Sequence, residues 1–184
     1  MNKLKKYNKK RDFTKTKEPI GSISKRNKKL SFVVQHHLAR NDHYDLRLEL
    51  DGTLKSWAVP KGLSYNPKDK RLAILVEDHP ISYCNFEGNI PKGEYGGGTV
   101  MVWDKGTWSA AHDATESLKD GMLKFTLKGK KLMGSWALVK MKDDNWLLIK
   151  ENDEYSSDKI DLSKYDVSIK TGRTMDEIAS EESK

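Results

Sequence analysis

Residues 43–54 read HYDLRLELDGTL, and this stretch decides the fold. From Tyr44 to Leu50 apolar residues alternate with polar ones, which is the period of a β-strand with one face turned towards a core. The Asp51-Gly52 dipeptide that follows favours a two-residue hairpin, because both central residues of that turn need positive φ. The stretch therefore predicts two antiparallel strands, Tyr44–Leu50 and Leu54–Val59, joined by a tight turn.

Six further segments are rich in β-branched, aromatic or alternating apolar residues, and Gly, Pro and Asn separate several of them. These segments are 30–37, 72–77, 99–103, 122–127, 132–141 and 146–150. Eight short strands predict an all-β fold, a small closed or nearly closed β-barrel with short peripheral helices. The five tryptophans lie within or beside these strands and are predicted to pack in the core. A capping-box pattern at Thr174-Met175-Asp176-Glu177 predicts a helix near the C-terminal end.

The chain has 184 residues, a length that suits one domain with tails. We predict a basic flexible tail over residues 1–10 and a barrel domain over residues 11–173. Within that domain, residues 11–30 form a partly ordered arm. Residues 174–184 are predicted as a short helix or tail.

Charge is distributed unevenly along the chain. The whole sequence has 34 Lys and Arg against 27 Asp and Glu, a formal net charge of +7. Residues 1–30 contain 12 Lys and Arg but only 2 Asp and Glu, so their net charge is +10 and the rest of the chain sums to −3. Such a basic arm favours contact with the phosphates of nucleic acid. A solvated, disordered tail is the alternative interpretation.

The sequence shows no sign of export or membrane insertion. No apolar run suits a secretory signal or a membrane span. The single cysteine, Cys84, has no partner for an intrachain disulfide, which fits a reducing compartment. We therefore expect a cytoplasmic protein without a membrane partner.

His37, His43 and Asp45 are the candidate metal ligands. His43 and Asp45 share one face of the predicted strand, and His37 comes from the neighbouring segment. Two imidazoles and a carboxylate bind divalent metals and leave coordination positions open. Arg47 follows on the same face, where its guanidinium suits an anionic oxygen, above all a phosphate. The alternation alone equally fits a solvated sheet face with cross-strand ion pairs.

Four long motifs in a fixed order carry a resemblance to a known family. They are H-x5-HYD-x-RLELDG from residue 37, KSWAVPKG from 55, VEDHP from 76 and FEG-x-IP-x-GEYG from 86. Together they resemble the 3′-phosphoesterase domain of the bacterial non-homologous end-joining DNA ligase D, over about residues 11–173.

The resemblance implies a β-barrel enzyme of DNA repair that heals 3′ ends. Such enzymes use a divalent metal, typically manganese, with zinc, cobalt or cadmium possible. They remove a 3′-terminal ribonucleoside from a primer strand to leave a 3′-phosphate, and they hydrolyse that phosphate to a 3′-hydroxyl. The implied partners are primer-template DNA and a DNA ligase or other end-joining protein acting in trans.

The resemblance also implies a role for each matching residue. His37, His43 and Asp45 are the implied metal ligands. His79, Arg47 and Tyr83 are the implied catalytic residues, of which Arg47 and Tyr83 would also bind phosphate. The other implied substrate-binding or phosphate-binding residues are Gln35, Lys61, Arg71, Arg11, Asp12 and Glu18. The three N-terminal residues of this set imply that the arm lies over the site.

Two other function classes remain open on the residues alone. His43 and Asp45 with a distal His79 also fit the two-histidine, one-carboxylate triad of non-haem iron oxygenases, which would make His37 a bystander. A non-catalytic DNA-end-binding module would use the metal and the arm only to dock a terminus.

Overall fold

The computed structural model describes residues 2–25 and 27–181. The strands are β1 (Leu30–Leu38), β2 (Asp42–Leu50), β3 (Thr53–Val59), β4 (Arg71–His79), β5 (Gly88–Ile90), β6 (Gly98–Ala110), β7 (Met122–Lys128), β8 (Met133–Lys140) and β9 (Asn145–Lys150). The α-helices are α1 (Lys5–Lys9), α2 (Ala114–Asp120) and α3 (Met175–Ala179). Short 3₁₀ helices span Ile81–Asn85 and Leu162–Lys164.

Eight antiparallel strands close into a barrel. Their order is β1-β2-β3-β4-β9-β8-β7-β6, and β6 pairs back with β1. The short β5 pairs with the beginning of β6 and lies outside this ring. The predicted all-β barrel with short helices is therefore confirmed, and it is closed.

The turn between β2 and β3 fixes the register of the central hairpin. Asp51 has a φ of 51° and Gly52 a φ of 82°, and Leu50 is paired with Thr53. A Cβ at Gly52 would lie 2.6 Å from the carbonyl oxygen of Ser24, so this position needs glycine for space as well as for conformation. The predicted hairpin is confirmed.

The interior of the barrel is filled by large apolar side chains. Trp57, Trp103 and Trp136 are at most 1% exposed, and the other two tryptophans are also buried, as predicted. The strand alternation directs Leu46 and Leu48 of β2 into this core.

A second apolar cluster covers the outer face of β1 and β3. It joins Val33 and Leu54, which point away from the barrel interior, to Tyr83 of the first 3₁₀ helix and to Leu4 and Tyr7 of the N-terminal segment. The outer face of β2 is therefore enclosed between protein segments and is not a solvated sheet face. Asp45, Arg47 and Glu49 on that face are all buried.

The structure differs from the predicted flexible tail at residues 2–10. Helix α1 packs there against the barrel, and Leu4 and Tyr7 are fully buried. The hydroxyl of Tyr7 donates a hydrogen bond of 2.7 Å to the carbonyl of Pro19. Leu4 and Tyr7 are three residues apart and therefore lie on one face of the helix, which packs against the barrel. The many lysines around them made this apolar face difficult to recognise in the sequence. Met1 lies outside the described residues.

Other elements also depart from the sequence prediction. Strand β6 continues to Ala110 instead of ending at Trp103, and β5 and α2 were not predicted. Helix α2 is capped by Asp113, whose carboxylate accepts a hydrogen bond from the Glu116 amide. The capping box before α3 is present, while residues 182–184 of the predicted C-terminal element lie outside the described part. Within residues 2–25 and 27–181, no helix combines the length and the hydropathy needed to cross a membrane.

Candidate metal centre and substrate cleft

The paired strands β1 and β2 bring the three predicted metal ligands together. The register places His37 opposite His43 and Gln35 opposite Asp45. His37 Nδ1 lies 3.6 Å from one oxygen of Asp45, and His43 Nε2 lies 3.5 Å from the other. One ligand atom from each residue lies within 4.8 Å of the other two. The three residues therefore form a group that could hold one metal ion.

Both imidazoles are oriented by backbone carbonyls. His37 Nε2 lies 2.8 Å from the carbonyl oxygen of Gly96, and His43 Nδ1 lies 2.9 Å from that of Asn41. Each of these nitrogens must carry a proton to donate to a carbonyl. This leaves Nδ1 of His37 and Nε2 of His43 with free lone pairs on the Asp45 side. Metal-ligating histidines are commonly held in this way.

Asp45 is a buried carboxylate that stays ionised. Burial alone would raise its pKa, but the positive charge of Arg47 and the contacts with His37 and His43 outweigh burial and hold the pKa well below its ordinary range. Burial lowers the pKa of His43, but Asp45 outweighs that effect and raises it. The group therefore offers one permanent negative charge, which suits a cation.

Arg47 lies beside the metal-binding triad of His37, His43 and Asp45, and one of its nitrogens is unpaired within the described part of the chain. Its Nε donates to Gln35 at 2.8 Å and its Nη2 donates to Asp45 at 3.1 Å. Its Nη1 is buried and has no hydrogen-bond partner among the described residues. Gln35 in turn donates to the backbone carbonyls of Tyr83 and Phe86, so the guanidinium is fixed from behind. A buried, unpaired guanidinium nitrogen fits an anionic ligand.

His79 is held as a neutral imidazole. Its Nδ1 donates to the carbonyl of Glu77 at 2.9 Å, and its Nε2 lies 3.3 Å from Arg11 Nη2, from which it accepts. Burial, together with the positive charges of Arg47 and Arg11, holds the pKa of His79 well below its ordinary value. A neutral imidazole with this arrangement accepts protons and does not donate one from Nε2.

Glu18 connects the N-terminal arm to the wall of the cleft. Its Oε1 accepts from Arg11 Nε at 2.9 Å and from the Tyr83 hydroxyl at 2.8 Å, and Thr16 donates to its Oε2 at 3.0 Å. Burial and the charge of Glu18 raise the pKa of Tyr83 well above its ordinary value, so the phenol keeps its proton. The arm therefore contributes both a cation and an anion to the site.

These side chains surround a cleft of about 250 Å³. Eight of the predicted site residues line it: Arg11, Glu18, His37, His43, Asp45, Arg47, His79 and Tyr83. Gln35 is fully buried and contacts the cleft through its hydrogen bond with Arg47. Asp12 is half-exposed; it accepts a hydrogen bond from Thr14 and is not among the residues that line the cleft.

Lys61 and Arg71 are placed elsewhere. They line a separate cavity of about 240 Å³ that also contains Asp158 and Asp161. Arg71 lies 3.5 Å from Asp69, and its Nε is buried without a partner among the residues described. The candidate metal group contains His37, His43 and Asp45. The oxygenase interpretation needed His79 in place of His37, so the geometry does not favour it.

Some contributors to the cleft were not predicted from the sequence. Glu77 pairs with Lys10 at 3.1 Å and with Arg11 at 3.6 Å. Its position two residues before His79 on β4 was a usable signal, because strand period places both on one face. The orienting carbonyls of Gly96 and Asn41 left no signal, since every residue carries a carbonyl.

Comparison with known proteins gives a consistent result. Residues 35–140 match the family described as the DNA ligase D 3′-phosphoesterase domain. The chain is 48% identical over 169 residues to the multifunctional non-homologous end joining protein LigD of Pseudomonas aeruginosa, covering 88% of this chain and 20% of that protein. It is 43% identical over 159 residues to the protein of the same name from Mycolicibacterium smegmatis, covering 83% and 21%. The multifunctional non-homologous end joining DNA repair protein LigD of Mycobacterium tuberculosis is 45% identical over 148 residues, covering 79% and 19%. The chain thus spans about a fifth of the length of these relatives.

Proposed function

The chain belongs to the DNA ligase D 3′-phosphoesterase domain family, and on that premise we propose that it is a metal-dependent enzyme that heals 3′ ends in DNA repair. It removes a 3′-terminal ribonucleoside from a primer strand. Water adds across the P–O5′ bond, so the nucleoside leaves with a 5′-hydroxyl and the strand keeps a 3′-phosphate. The same site then hydrolyses this phosphate to a 3′-hydroxyl. The proposal rests chiefly on the triad of His37, His43 and Asp45 beside the unpaired Nη1 of Arg47.

Two imidazole nitrogens and a carboxylate fit a divalent first-row metal, and we propose manganese, with zinc, cobalt or cadmium as substitutes. When bound, the ion supplies Lewis-acid neutralisation of charge on a phosphate oxygen. The lone pairs of His37 Nδ1 and His43 Nε2 are already presented by the bonds to Gly96 and Asn41. Little reorganisation of these ligands is then needed on binding.

Arg47 binds the reacting phosphate through Nη1. Its other two nitrogens donate to Gln35 and Asp45, so the guanidinium is preorganised and does not have to be ordered by the substrate. A charge-assisted hydrogen bond in a buried cleft strengthens as negative charge develops on the phosphate oxygens.

His79 and Tyr83 act from the arm side of the cleft. The neutral imidazole of His79 can accept a proton or orient Arg11. It is not suited to donate a proton to the leaving group. Tyr83 keeps its proton and can donate to a phosphate oxygen once its bond to Glu18 is exchanged for one to the substrate. Arg11 and Glu18 hold these two residues in place.

The remaining residues implied by the resemblance stay proposed substrate contacts. Lys61 and Arg71, in their own cavity, would bind the nucleic acid away from the reacting phosphate. Asp12 is exposed enough to reach a substrate that covers the arm. The proposed partners are primer-template DNA and a DNA ligase or another end-joining protein in trans.

A time course on 5′-labelled primer-templates tests this function. The primers end in a ribonucleotide, a deoxynucleotide or a 3′-phosphate, each with and without manganese. We expect conversion of the ribonucleotide end to a 3′-phosphate and then to a 3′-hydroxyl, in the presence of metal only. His43→Ala should lower both rates at least about 100-fold through loss of a ligand, whereas the exposed His112→Ala should not. An unchanged primer, or undiminished turnover by His43→Ala, would refute the proposal.

A non-catalytic DNA-end-binding module is the second candidate. The exposed lysines of α1 favour it, because they offer phosphate contacts that need no chemistry. Tight binding of DNA ends that survives His37→Ala and Asp45→Ala, with no product formed by the unaltered protein, would favour this candidate over the enzyme.

A further inference from the structure

The rim of the cleft carries an aromatic side chain that the proposed chemistry does not use. Tyr95 lies in the turn between β5 and β6 and lines the same cleft as the triad, yet it is 45% exposed. Exposed rings beside a basic phosphate site are the means by which many proteins stack unpaired nucleobases. The ring is therefore a candidate contact for the end of the primer.

Two cations hold this ring in place. Lys10 Nζ lies 3.1 Å from the Tyr95 hydroxyl and 4.5 Å from the ring centroid. The guanidinium carbon of Arg11 lies 5.3 Å from the same centroid. Both contacts are within cation–π range, so they fix the ring and place positive charge beside it.

The turn that carries Tyr95 is itself braced. The amide of Gly97 donates to the carbonyl of Glu94 at 3.0 Å, and Lys15 of the arm lies 3.5 Å from the Glu94 carboxylate. A ring on a braced turn loses little entropy when a base stacks on it. The Tyr95 ring is thus held in place at the rim before a base binds.

The position of the Tyr95 ring suits a contact with the terminal nucleoside, which is present in only the first of the two proposed steps. Gly96, the next residue, accepts the bond that orients His37. A nucleoside attached to a phosphate at Arg47 would have to lie beside the triad, within the same cleft or at its rim. A strand that ends in a 3′-phosphate has no such nucleoside.

We propose that Tyr95 stacks on the base of the 3′-terminal nucleoside and sets the efficiency with which that nucleoside is removed. The assignment rests on the proposed function for its substrate. Stacking tolerates every base, so the subsite accepts all four. It serves nucleoside removal and not hydrolysis of the 3′-phosphate.

Kinetics of the two steps test the assignment. Tyr95→Ala should lower kcat/KM for ribonucleoside removal about tenfold more than kcat/KM for phosphate hydrolysis, and Tyr95→Phe should keep both near the unaltered values. Tyr165→Ala is the matched control, because Tyr165 is 52% exposed and lines a different cavity. Equal losses in both steps would mean that the ring only braces Gly96 and His37, and would overturn the assignment. So would the absence of any loss.

A binding measurement separates this inference from the proposed function. A primer ending in 2-aminopurine riboside is titrated with protein in EDTA, and its fluorescence is followed together with anisotropy. We expect quenching with the unaltered protein and with Tyr95→Phe, and its relief in Tyr95→Ala at equal anisotropy. Quenching without turnover in manganese would refute the enzyme and keep the subsite. Identical quenching by Tyr95→Ala would refute the subsite even if the enzyme is active.

Discussion

At the scale of single residues, the site depends on side chains that are held by hydrogen bonds at some of their nitrogens and leave another nitrogen available for a ligand. Each candidate imidazole ligand bonds a carbonyl through one nitrogen and leaves the other nitrogen unbonded in the part of the chain that the structure describes. Arg47 bonds through two of its three nitrogens and leaves Nη1 unpaired among the described residues. An unsatisfied buried donor costs about 1–3 kcal/mol, so its retention is better explained by a ligand than by stability.

Replacement of Arg47 by lysine tests that explanation. Lysine cannot keep the bonds to Gln35 and Asp45 and also offer a third donor in the same plane. We expect Arg47→Lys to lower kcat/KM for 3′-phosphate hydrolysis about 100-fold, the loss of about 2–3 kcal/mol for a charge-assisted bond. Manganese affinity, measured by calorimetry, should change only a few-fold, because the three candidate ligands, His37, His43 and Asp45, are unchanged. The exposed Arg40→Lys is the control. A parallel collapse of metal binding would assign Arg47 to the triad and not to the phosphate.

The sequence predicted the chemical groups of the site better than their surroundings. Strand period placed Asp45 and Arg47 on one face, and the residue types indicated a cation and an anion. The strand period could not show that this face is shielded from solvent, because the covering residues, Leu4 and Tyr7, are distant in sequence from β2. The neutral state of His79 was equally inaccessible, since it follows from burial beside Arg11 and Arg47.

At the scale of elements, α1 joins the N-terminal lysines to the cleft. Tyr7 packs edge-on against His79, with ring centroids 5.0 Å apart, and its ring lies 3.8 Å from the Arg11 guanidinium carbon. The helix therefore shields two residues of the cleft wall as it covers the barrel.

Shortening the buried Leu4 tests whether α1 is part of the folded unit. We expect Leu4→Ala to lower the free energy of unfolding by about 2–4 kcal/mol, because Leu4 is fully buried. Urea denaturation followed by tryptophan fluorescence would measure the change. Ile20→Ala, at a side chain 67% exposed, should stay within about 0.5 kcal/mol of the unaltered protein. If Leu4→Ala matched that control, the docking of α1 would contribute nothing to stability.

Glu87 anchors the segment that leads to α3. Its carboxylate accepts from Ser168, from Thr171 and from the amide of Val102. Burial alone would raise the pKa of Glu87, but these bonds outweigh burial and hold the pKa below its ordinary value of 4.5. A depressed pKa means that the ionised anchor stabilises the fold above about pH 4.5, and that this contribution is lost as the pH falls further.

Glu87→Gln should therefore destabilise the protein in a pH-dependent way. We expect a loss of about 1–3 kcal/mol at pH 7, because a charged acceptor of several bonds becomes neutral. The difference from the unaltered protein should shrink as the pH falls below about 4.5. Urea titrations at several pH values would measure both effects. A difference that is constant with pH would show that the charge of Glu87 is not what holds the segment.

Elements were predictable where their signals are local. The Asp51-Gly52 turn and the Thr174 capping box each lie within four residues, and both are present. Helix α2 also has local signals, Asp113 before it and Gly121 after it, although it was not predicted. The short β5 and helix α1 have almost no local signal, because three and five residues acquire their structure by pairing or packing.

At the scale of the whole molecule, the closed barrel separates two tasks. Its interior holds the tryptophan-rich core, and the outer face of β1 and β2 carries the site beneath the N-terminal segment. The same segment holds the excess of positive charge, since residues 1–30 carry a net +10 and the rest of the chain −3. The docking of α1 therefore places its positive charge on the side of the barrel that carries the candidate metal site.

This arrangement predicts that α1 binds duplex phosphates next to the cleft. Lys5, Lys6 and Lys9 are exposed, and none has an acidic partner within the part of the chain that the structure describes. Replacing all three by glutamine should weaken binding of a primer-template. It should also make the slope of log K against log salt less negative by about 0.9 for each phosphate that a lysine no longer neutralises. Anisotropy titrations in EDTA over a range of salt would measure both.

Lys128, Lys140 and Lys142, also exposed, are the matched set for this comparison. Their replacement changes the net charge equally but alters no residue of α1, so it should leave the slope nearly unchanged. Because counterion release depends on the number of phosphates neutralised and not on total charge, the slope distinguishes a bound surface from a general field. Equal slopes for the two triple variants would mean that the DNA is drawn to the protein by net charge alone, and that the docked helix does not guide it to the triad.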